Sequence, residues 1–252
     1  MRLGGARILA VAGKGGVGKT SISAAALRLL VKAHPEARIL AIDADPAVGL
    51  ATALGVEVTE TLDDIRKALA AETQKTGADE LIAEARFRLF DSMVETRGFA
   101  FLAIGRPETA GCYCTVNSYL KQVISLLSGE FDYVVVDGEA GIEQINRRVM
   151  EKVTHLMLIT DQSRKGYEVI RTIKDVADEL VMYETCGVVI NRATRPELVE
   201  DPAIPGAPLL AVIGADPAQT RFDVQGKSVF ELPEDTPVIR GVRDALAGLG
   251  VL

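Results

Sequence analysis

The sequence predicts a doubly wound α/β fold, with a mostly parallel sheet of about seven strands and helices on both of its faces. Two observations predict it: short apolar runs recur along the chain, and stretches of helical periodicity separate them. The runs are continuous rather than alternating, as in strands buried on both faces of a parallel sheet. Ligands of such folds bind at the carboxyl ends of the strands. We expect strands at residues 8–12, 39–42, 99–104, 133–136, 155–159, 187–190 and 209–213.

The composition is that of a chain with one large core. It has 252 residues, of which 48% are hydrophobic, and we expect a single domain over residues 1–252. The net charge of -7 argues against nucleic acid as a partner, because general nucleic-acid binding needs a basic footprint. No apolar run reaches the roughly 18 residues of a membrane span, and the first residues do not resemble a signal peptide. We therefore expect a cytoplasmic protein with no membrane partner.

The first expected strand leads directly into a phosphate-binding loop. In this class of loop, backbone N–H groups converge on phosphate oxygens, and the N-terminus of the following helix adds partial positive charge. We expect Lys19 to reach the terminal phosphates of a nucleotide and the Thr20 hydroxyl to ligate Mg²⁺. A glycine-rich turn without a ligand is the competing interpretation. The residues that fill the pattern and begin the helix are Gly13, Lys14, Gly15, Gly16, Val17, Gly18, Lys19, Thr20 and Ser21.

Acidic residues follow two other strands. Asp43 and Asp45 lie at the end of the second expected strand, and Asp137 closes the fourth in the Walker B arrangement. We expect Asp137 to hold a Mg²⁺-bound water, and the N–H of Gly141 could reach the γ-phosphate. Asp45 has a second interpretation, as the cap of a short helix after Pro46.

The second lysine of the loop, Lys14, makes the motif more specific than the general pattern. Lys-Gly-Gly-Val-Gly-Lys-Thr resembles the loop of the deviant Walker A ATPases. That family includes the nitrogenase iron protein, the Min and Par ATPases and several metallocentre assembly factors. The resemblance implies hydrolysis of ATP to ADP and phosphate, with Lys14 crossing a dimer interface to touch the partner's nucleotide. Without the resemblance, Lys14 would be an ordinary counter-charge beside a triphosphate.

The same resemblance assigns roles to four further residues. It implies that Asp43 lies near Mg²⁺ and that Asp45 orients the attacking water. Asn191 and Arg192 follow another strand, at the position where this family recognises adenine through the asparagine amide. On the residues alone, Asn191 also fits a simple turn after the strand.

A cysteine pair, Cys112 and Cys114, lies in a loop before an expected helix. One intervening residue allows both sulfurs to face one point, and a helix N-terminus favours thiolates. Two ligands are half of a four-coordinate site, which a twofold axis would complete. Two small buried cysteines are the competing interpretation. Cys186 opens a strand and is expected to be a buried, inert thiol.

With Gly-Cys-Tyr-Cys before a helix, the whole chain resembles the nickel-insertion factors of carbon monoxide dehydrogenase and acetyl-CoA synthase, the CooC and AcsF type. The resemblance implies ATP and Mg²⁺ as cofactors, a homodimer, and one of those enzymes as client. It also implies Ni²⁺ or Zn²⁺ at Cys112 and Cys114, shared across the dimer interface. Gln144 departs from the histidine expected in many of these factors. Two alternatives remain, an iron–sulfur-cluster ATPase that passes electrons to a partner, and a Min/Par-like regulatory ATPase.

The remaining segments are predicted to be structural. Residues 61–97 form amphipathic surface helices to which we assign no chemistry. Residues 214–230 are expected to be a loop near the base, and residues 237–249 a helix packed on the sheet. His34 and His155 are expected to be structural.

Overall fold

The computed structural model describes residues 5–45, 47–72, 78–105, 125, 129–140 and 152–252. Within these ranges, strands and helices alternate along most of the chain. The strands are β1 (Arg7–Gly13), β2 (Ile39–Asp43), β3 (Val94–Glu95), β4 (Ala100–Ala103), β5 (Tyr133–Ala140), β6 (His155–Thr160), β7 (Thr185–Ala193) and β8 (Leu209–Gly214). The helices are α1 (Lys19–Ala33), α2 (Gly49–Leu54), α3 (Leu62–Glu72), α4 (Ala78–Ser92), α5 (Arg164–Leu180), α6 (Pro217–Gln225) and α7 (Pro237–Gly248).

The strands form one eight-stranded sheet in the order β3-β4-β2-β5-β1-β6-β7-β8. All neighbouring pairs are parallel except β3 and β4. The prediction of a doubly wound, mostly parallel α/β fold is thus confirmed. The strand beyond the expected seven is β3, whose two residues are too few to produce a hydrophobic pattern.

The central strand β1 is buried on both faces. Leu9 and Val11 pack in a hydrophobic cluster with α1, α2 and α7. Ala10 and Ala12, which point to the opposite face, pack in a second cluster with α3, α4 and α5. Because both faces of the strand are covered, apolar residues occupy every interior position. This explains the continuous apolar run in the sequence.

The expected loop at residues 214–230 contains a helix, α6, so that prediction was wrong. Asp216 caps this helix by accepting hydrogen bonds from the N–H groups of Ala218 and Gln219, both at 3.0 Å. Pro217 occupies the first turn, and Gly226 ends the helix with φ +61°. Aspartate, proline and a later glycine at this spacing are helix boundary signals, and they outweigh the weak apolar periodicity between them.

The predictions for residues 237–249, His34 and His155 are confirmed, whereas residues 61–97 contain strand β3 as well as helices α3 and α4. Helix α7 packs on β8 and α1, as expected for residues 237–249. The ring of His34 stacks on that of Tyr133 at 4.7 Å between centroids, and His155 is buried. Among the residues described, no helix is both long and apolar enough to cross a membrane.

Candidate nucleotide-binding site

The predicted phosphate loop connects β1 to α1, and its shape depends on two glycines. Gly13 has φ +146°, and a Cβ atom there would lie 2.1 Å from the carbonyl oxygen of Ile159 on β6. Gly18 adopts a left-handed conformation, φ +88°, immediately before α1. Only glycine tolerates both the backbone conformation and the close approach. The first N–H groups of α1, which lack partners within the helix, therefore lie next to the loop.

Lys19 is held inside this loop. Its side chain is buried, and Nζ donates a hydrogen bond to the backbone oxygen of Lys14 at 3.2 Å. Thr20 and Ser21 follow in the first turn of α1. A lysine ammonium held against a phosphate-binding loop is the arrangement that binds the terminal phosphates of a nucleotide.

Asp43 lies at the carboxyl end of β2, directly beside Asp137 of β5 in the strand register. Its side chain is fully buried. One carboxylate oxygen accepts the N–H of Asp45 at 3.1 Å and the other accepts the N–H of Leu50 at 2.8 Å. Burial, and to a lesser extent the neighbouring charge of Asp137, raises the pKa of Asp43 to about 7. Asp43 thus fixes the segment between β2 and α2.

Asp137 is also fully buried, and its two oxygens differ in their partners. Oδ1 accepts a hydrogen bond from the Ser23 hydroxyl at 2.7 Å, whereas Oδ2 has no hydrogen-bond partner among the residues that the structure describes. Burial raises the pKa of Asp137 to about 6, against the lowering effect of Ser23, Thr20 and the charge of Lys19. A buried, unpartnered carboxylate oxygen near a threonine hydroxyl fits Mg²⁺, a hard cation that prefers oxygen ligands.

Asp45 closes the turn that precedes α2. Its Oδ1 accepts a hydrogen bond from the N–H of Ala47 at 2.9 Å. Val48, and not Asp45, occupies the position that caps α2, and it provides no side-chain hydrogen bond. Asp45 therefore stabilises a turn next to the Asp43 segment, and its water-orienting role stays a prediction.

Lys14 forms an ion pair with Asp161 of its own chain. Asp161 follows β6, and its Oδ1 also accepts the N–H of Ser163 at 3.0 Å. Burial would raise the pKa of Asp161, but hydrogen bonds from Lys14 and Ser163 lower it below its usual value. The structure thus places the Lys14 ammonium within its own chain, and contact with a second chain stays a prediction.

Asn191 and Arg192, at the end of β7, lie against the phosphate loop. The side-chain amide of Asn191 donates to the backbone oxygen of Val17 at 2.8 Å, and the Arg192 guanidinium donates to that of Gly16 at 2.9 Å. Both residues therefore adjoin the phosphate loop. Their contact with an adenine base stays a prediction.

The loop, the acids and the strand ends together form one nucleotide site, and the comparison with known families agrees with it. A family described as the CobQ/CobB/MinD/ParA nucleotide binding domain matches residues 8–229. The chain belongs to this family. It is 36% identical to an uncharacterised ATP-binding protein of Methanocaldococcus jannaschii, over 94% of this chain and 96% of that protein. It is 29% identical to the carbon monoxide dehydrogenase accessory protein CooC of Rhodospirillum rubrum, over 94% of each.

A solved structure shows the same fold. The septum site-determining protein MinD of Pyrococcus horikoshii, in complex with Mg-ADP, superposes with a TM-score of 0.70 and 22% identity, over 97% of this chain and 96% of that one. This CobQ/CobB/MinD/ParA protein is accordingly a nucleotide-binding P-loop protein, and ATP with Mg²⁺ fits the geometry of its loop and acids.

Several predicted residues of this family member lie outside the described ranges: Gly141, Gln144, Cys112 and Cys114. Within those ranges, no group of three or more histidine, cysteine, aspartate and glutamate side chains is arranged to hold a metal ion. Cys186 is buried, and burial raises the pKa of its thiol to about 12. This agrees with the prediction of an inert thiol, because the thiolate is the reactive form.

Sequence reasoning missed two residues of the site. Ser23 lies one helical turn beyond Thr20 on α1, so the same side of the helix carries both hydroxyls. Asp161 directly follows the last residue of β6. An acid at the carboxyl end of a strand is the signal that identified Asp43 and Asp137, and it could have identified Asp161 as well.

Proposed function

We propose that the chain is a homodimeric ATPase that helps to insert nickel into carbon monoxide dehydrogenase or acetyl-CoA synthase. The observation that carries the proposal is the similarity to CooC over 94% of both chains. The Gly-Cys-Tyr-Cys stretch at residues 111–114 supports it, since a nickel factor needs soft ligands. In this proposal, Cys112 and Cys114 of both subunits bind the transferred metal.

The hydrolytic half of the proposal rests on the geometry of the loop. Lys19 and the N-terminus of α1 neutralise the phosphate charge. Thr20 and the unpartnered oxygen of Asp137 would hold Mg²⁺, with Asp43 close by, and the ion would neutralise charge on the phosphate oxygens. Asp43 accepts the N–H of Asp45 and so couples this site to the residue proposed to orient water.

The dimer supplies the remaining groups. Lys14 of the partner subunit would stabilise charge that develops as the γ-phosphate leaves. The same closure would bring the two cysteine pairs together, which gives four thiolates for one Ni²⁺ or Zn²⁺. ATP binding and metal binding would then be linked, because both favour the closed dimer.

A Min/Par-like regulatory ATPase is the second candidate. It is supported by 25% identity to the septum site-determining protein MinD of Bacillus subtilis, over 75% of this chain. A regulator of that kind needs the nucleotide site but has no use for a metal. Metal binding by the cysteines therefore separates the two candidates.

Replacing Lys19 tests the nucleotide site. We expect Lys19→Ala to weaken ATP binding by about tenfold or more, because it removes the buried ammonium that neutralises the phosphates. Calorimetric titration with ATP measures the loss. Lys32→Ala, at the other end of α1, is the matched control, because this exposed lysine pairs with Glu234 far from the loop. Equal ATP affinity in wild type and Lys19→Ala would refute the site assignment.

Replacing the cysteine pair tests the metal half. We expect one Ni²⁺ or Zn²⁺ per dimer in anaerobic titrations with the mass measured in parallel. The Cys112→Ser, Cys114→Ser double variant should lose tight binding but retain ATP binding. Metal affinity should fall at low pH, because the ligands must be deprotonated.

Cys186→Ala is the control for this experiment, because that thiol is buried and protonated and its loss should leave metal binding unchanged. A stoichiometry of one metal per monomer, or full binding by the double variant, contradicts the shared site. The regulatory candidate would then be preferred. A coloured, cluster-type absorption spectrum would instead favour the iron–sulfur alternative.

A further inference from the structure

Two adjacent side chains at the end of β7 donate hydrogen bonds to the phosphate loop. Arg192 donates to the carbonyl oxygen of Gly16 at 2.9 Å, and Asn191 donates to that of Val17 at 2.8 Å. These are consecutive carbonyl groups of the loop. The two contacts cross 176 and 174 residues of sequence, so they join two distant parts of the chain at the site.

The direction of these carbonyl groups has a consequence for phosphate binding. In a planar trans peptide, the C=O and the N–H of the same unit point in opposite directions. The carbonyl of Gly16 shares its peptide unit with the N–H of Val17, and the carbonyl of Val17 shares its unit with the N–H of Gly18. Holding both oxygens toward β7 therefore turns both N–H groups away from β7, to the other side of the loop.

The backbone at Arg192 supports a dedicated role for its side chain. Arg192 has φ +57°, in the left-handed region that glycine adopts most easily. A bulky residue in that conformation is strained, and such strain is concentrated at functional sites. The loop is also closely packed there. A Cβ atom at Gly18 would lie 2.8 Å from Asn191 Nδ2 and 3.5 Å from Arg192 Nε.

We propose that Arg192 is a positioning residue for the phosphate loop. It acts on the phosphates through the Gly16–Val17 peptide and not by contact with the base. This role differs from adenine recognition, and it rests on the proposed function only in that the chain binds ATP at this loop. Asn191 holds the adjacent Val17–Gly18 peptide in the same way, through the carbonyl oxygen of Val17.

The test distinguishes an effect of Arg192 on phosphate binding from an effect on base binding. ATP, inorganic pyrophosphate and adenosine are titrated calorimetrically into wild type, Arg192→Ala, Arg192→Lys and Arg192→Gly. Arg192→Ala should weaken ATP and pyrophosphate binding in parallel, by about tenfold, because one charge-assisted hydrogen bond to the loop is lost. Adenosine binding should stay unchanged. Arg192→Lys, which keeps a charged donor, should recover part of the loss.

Arg192→Gly separates the side chain from the backbone, because it relieves the strained φ while it removes the guanidinium. It should behave like Arg192→Ala. Arg195→Ala, three residues further along and exposed, is the matched control and should bind all three ligands like wild type. Melting temperatures of all variants establish that the fold is retained.

Three results would overturn the inference: equal loss of adenosine and ATP affinity in Arg192→Ala, wild-type affinity for pyrophosphate in that variant, or wild-type behaviour of Arg192→Gly. The first would make Arg192 a base contact, and the last would leave only a backbone effect. Failure of the wild-type chain to bind ATP or pyrophosphate would instead overturn the proposed function itself.

Discussion

Asp137→Asn is expected to abolish Mg²⁺-dependent ATP hydrolysis and, at the same time, to make the nucleotide-free protein more stable. The loss of hydrolysis should be roughly 10²–10³-fold, because the substitution removes the charge of the buried oxygen that would hold Mg²⁺. ATP binding itself should remain measurable, since Lys19 and the loop are unchanged. The gain in stability follows from burial, because a carboxylate costs free energy in that environment and the neutral amide of asparagine does not carry that charge.

The pH dependence gives the sign of this stability effect. The pKa of Asp43 is raised to about 7 and that of Asp137 to about 6, both mainly by burial, from an ordinary value of 3.8. Between about pH 4 and pH 7 the folded chain therefore binds more protons than the unfolded chain. The free energy of unfolding falls as pH rises through this window, and the penalty is fully present above it.

Asp137→Asn removes one of the two penalties and weakens the other, since the charge of Asp137 contributes to the raised pKa of Asp43. At pH 8 the variant should gain about 1–3 kcal/mol in the free energy of unfolding, which corresponds to a melting temperature several degrees higher. The gain should shrink toward pH 5.

Thermal unfolding of the nucleotide-free protein between pH 5 and pH 8 measures this effect. Asp175→Asn, an exposed position on α5, is the matched control and should follow the wild-type curve. Mg²⁺ with ATP should reverse the order, because it stabilises wild type more than the variant. A variant that is less stable than wild type at pH 8 would contradict the buried-charge account.

The fold was predictable because its signals are local. The run Ile8–Ala12 is apolar at every position, and a glycine-rich loop and a helix follow it directly. Strand β3 was not predictable, because it owes its existence to pairing with β4 and not to its own two residues. Helix α6 was missed because its apolar periodicity is weak. Asp216, Pro217 and Gly226 are nevertheless recognisable signals for its two ends.

The sequence predicted which residues form the site, but not which side chains they pair with. Asp43 and Asp137 could be placed because parallel strands bring their carboxyl ends to one edge of the sheet. The partner of Lys14 could not be predicted. Asp161 lies 147 residues further along the chain, and only the register of β1 against β6 brings it next to Lys14. The two Asp137 oxygens differ in their hydrogen bonding because of the Ser23 rotamer, and no sequence pattern encodes a rotamer.

Lys14→Ala and Asp161→Asn should change ATP-driven dimerisation in opposite directions. If Lys14 reaches the partner's nucleotide, Lys14→Ala should abolish the ATP-dependent dimer and with it hydrolysis. The ion pair with Asp161 holds the same ammonium in its own chain, so it must break before Lys14 can cross. A partly exposed ion pair is worth up to about 1 kcal/mol, or roughly fivefold in a population. Asp161→Asn should therefore favour the dimer by a few fold.

The asparagine keeps the Oδ1 acceptor that Asp161 offers to the N–H of Ser163, so the entry into α5 should remain intact. Ser163→Ala is the matched control, because it removes the hydroxyl that donates to Asp161 Oδ1 and accepts the N–H of Gly166, but it leaves Oδ2, the oxygen that pairs with Lys14, in place. Sedimentation at a series of ATP concentrations measures all three variants. A Lys14→Ala protein that dimerises like wild type would refute the crossing role. If Lys14→Ala fails to dimerise and Asp161→Asn behaves like wild type, Lys14 does cross, but the pair with Asp161 does not hold it back.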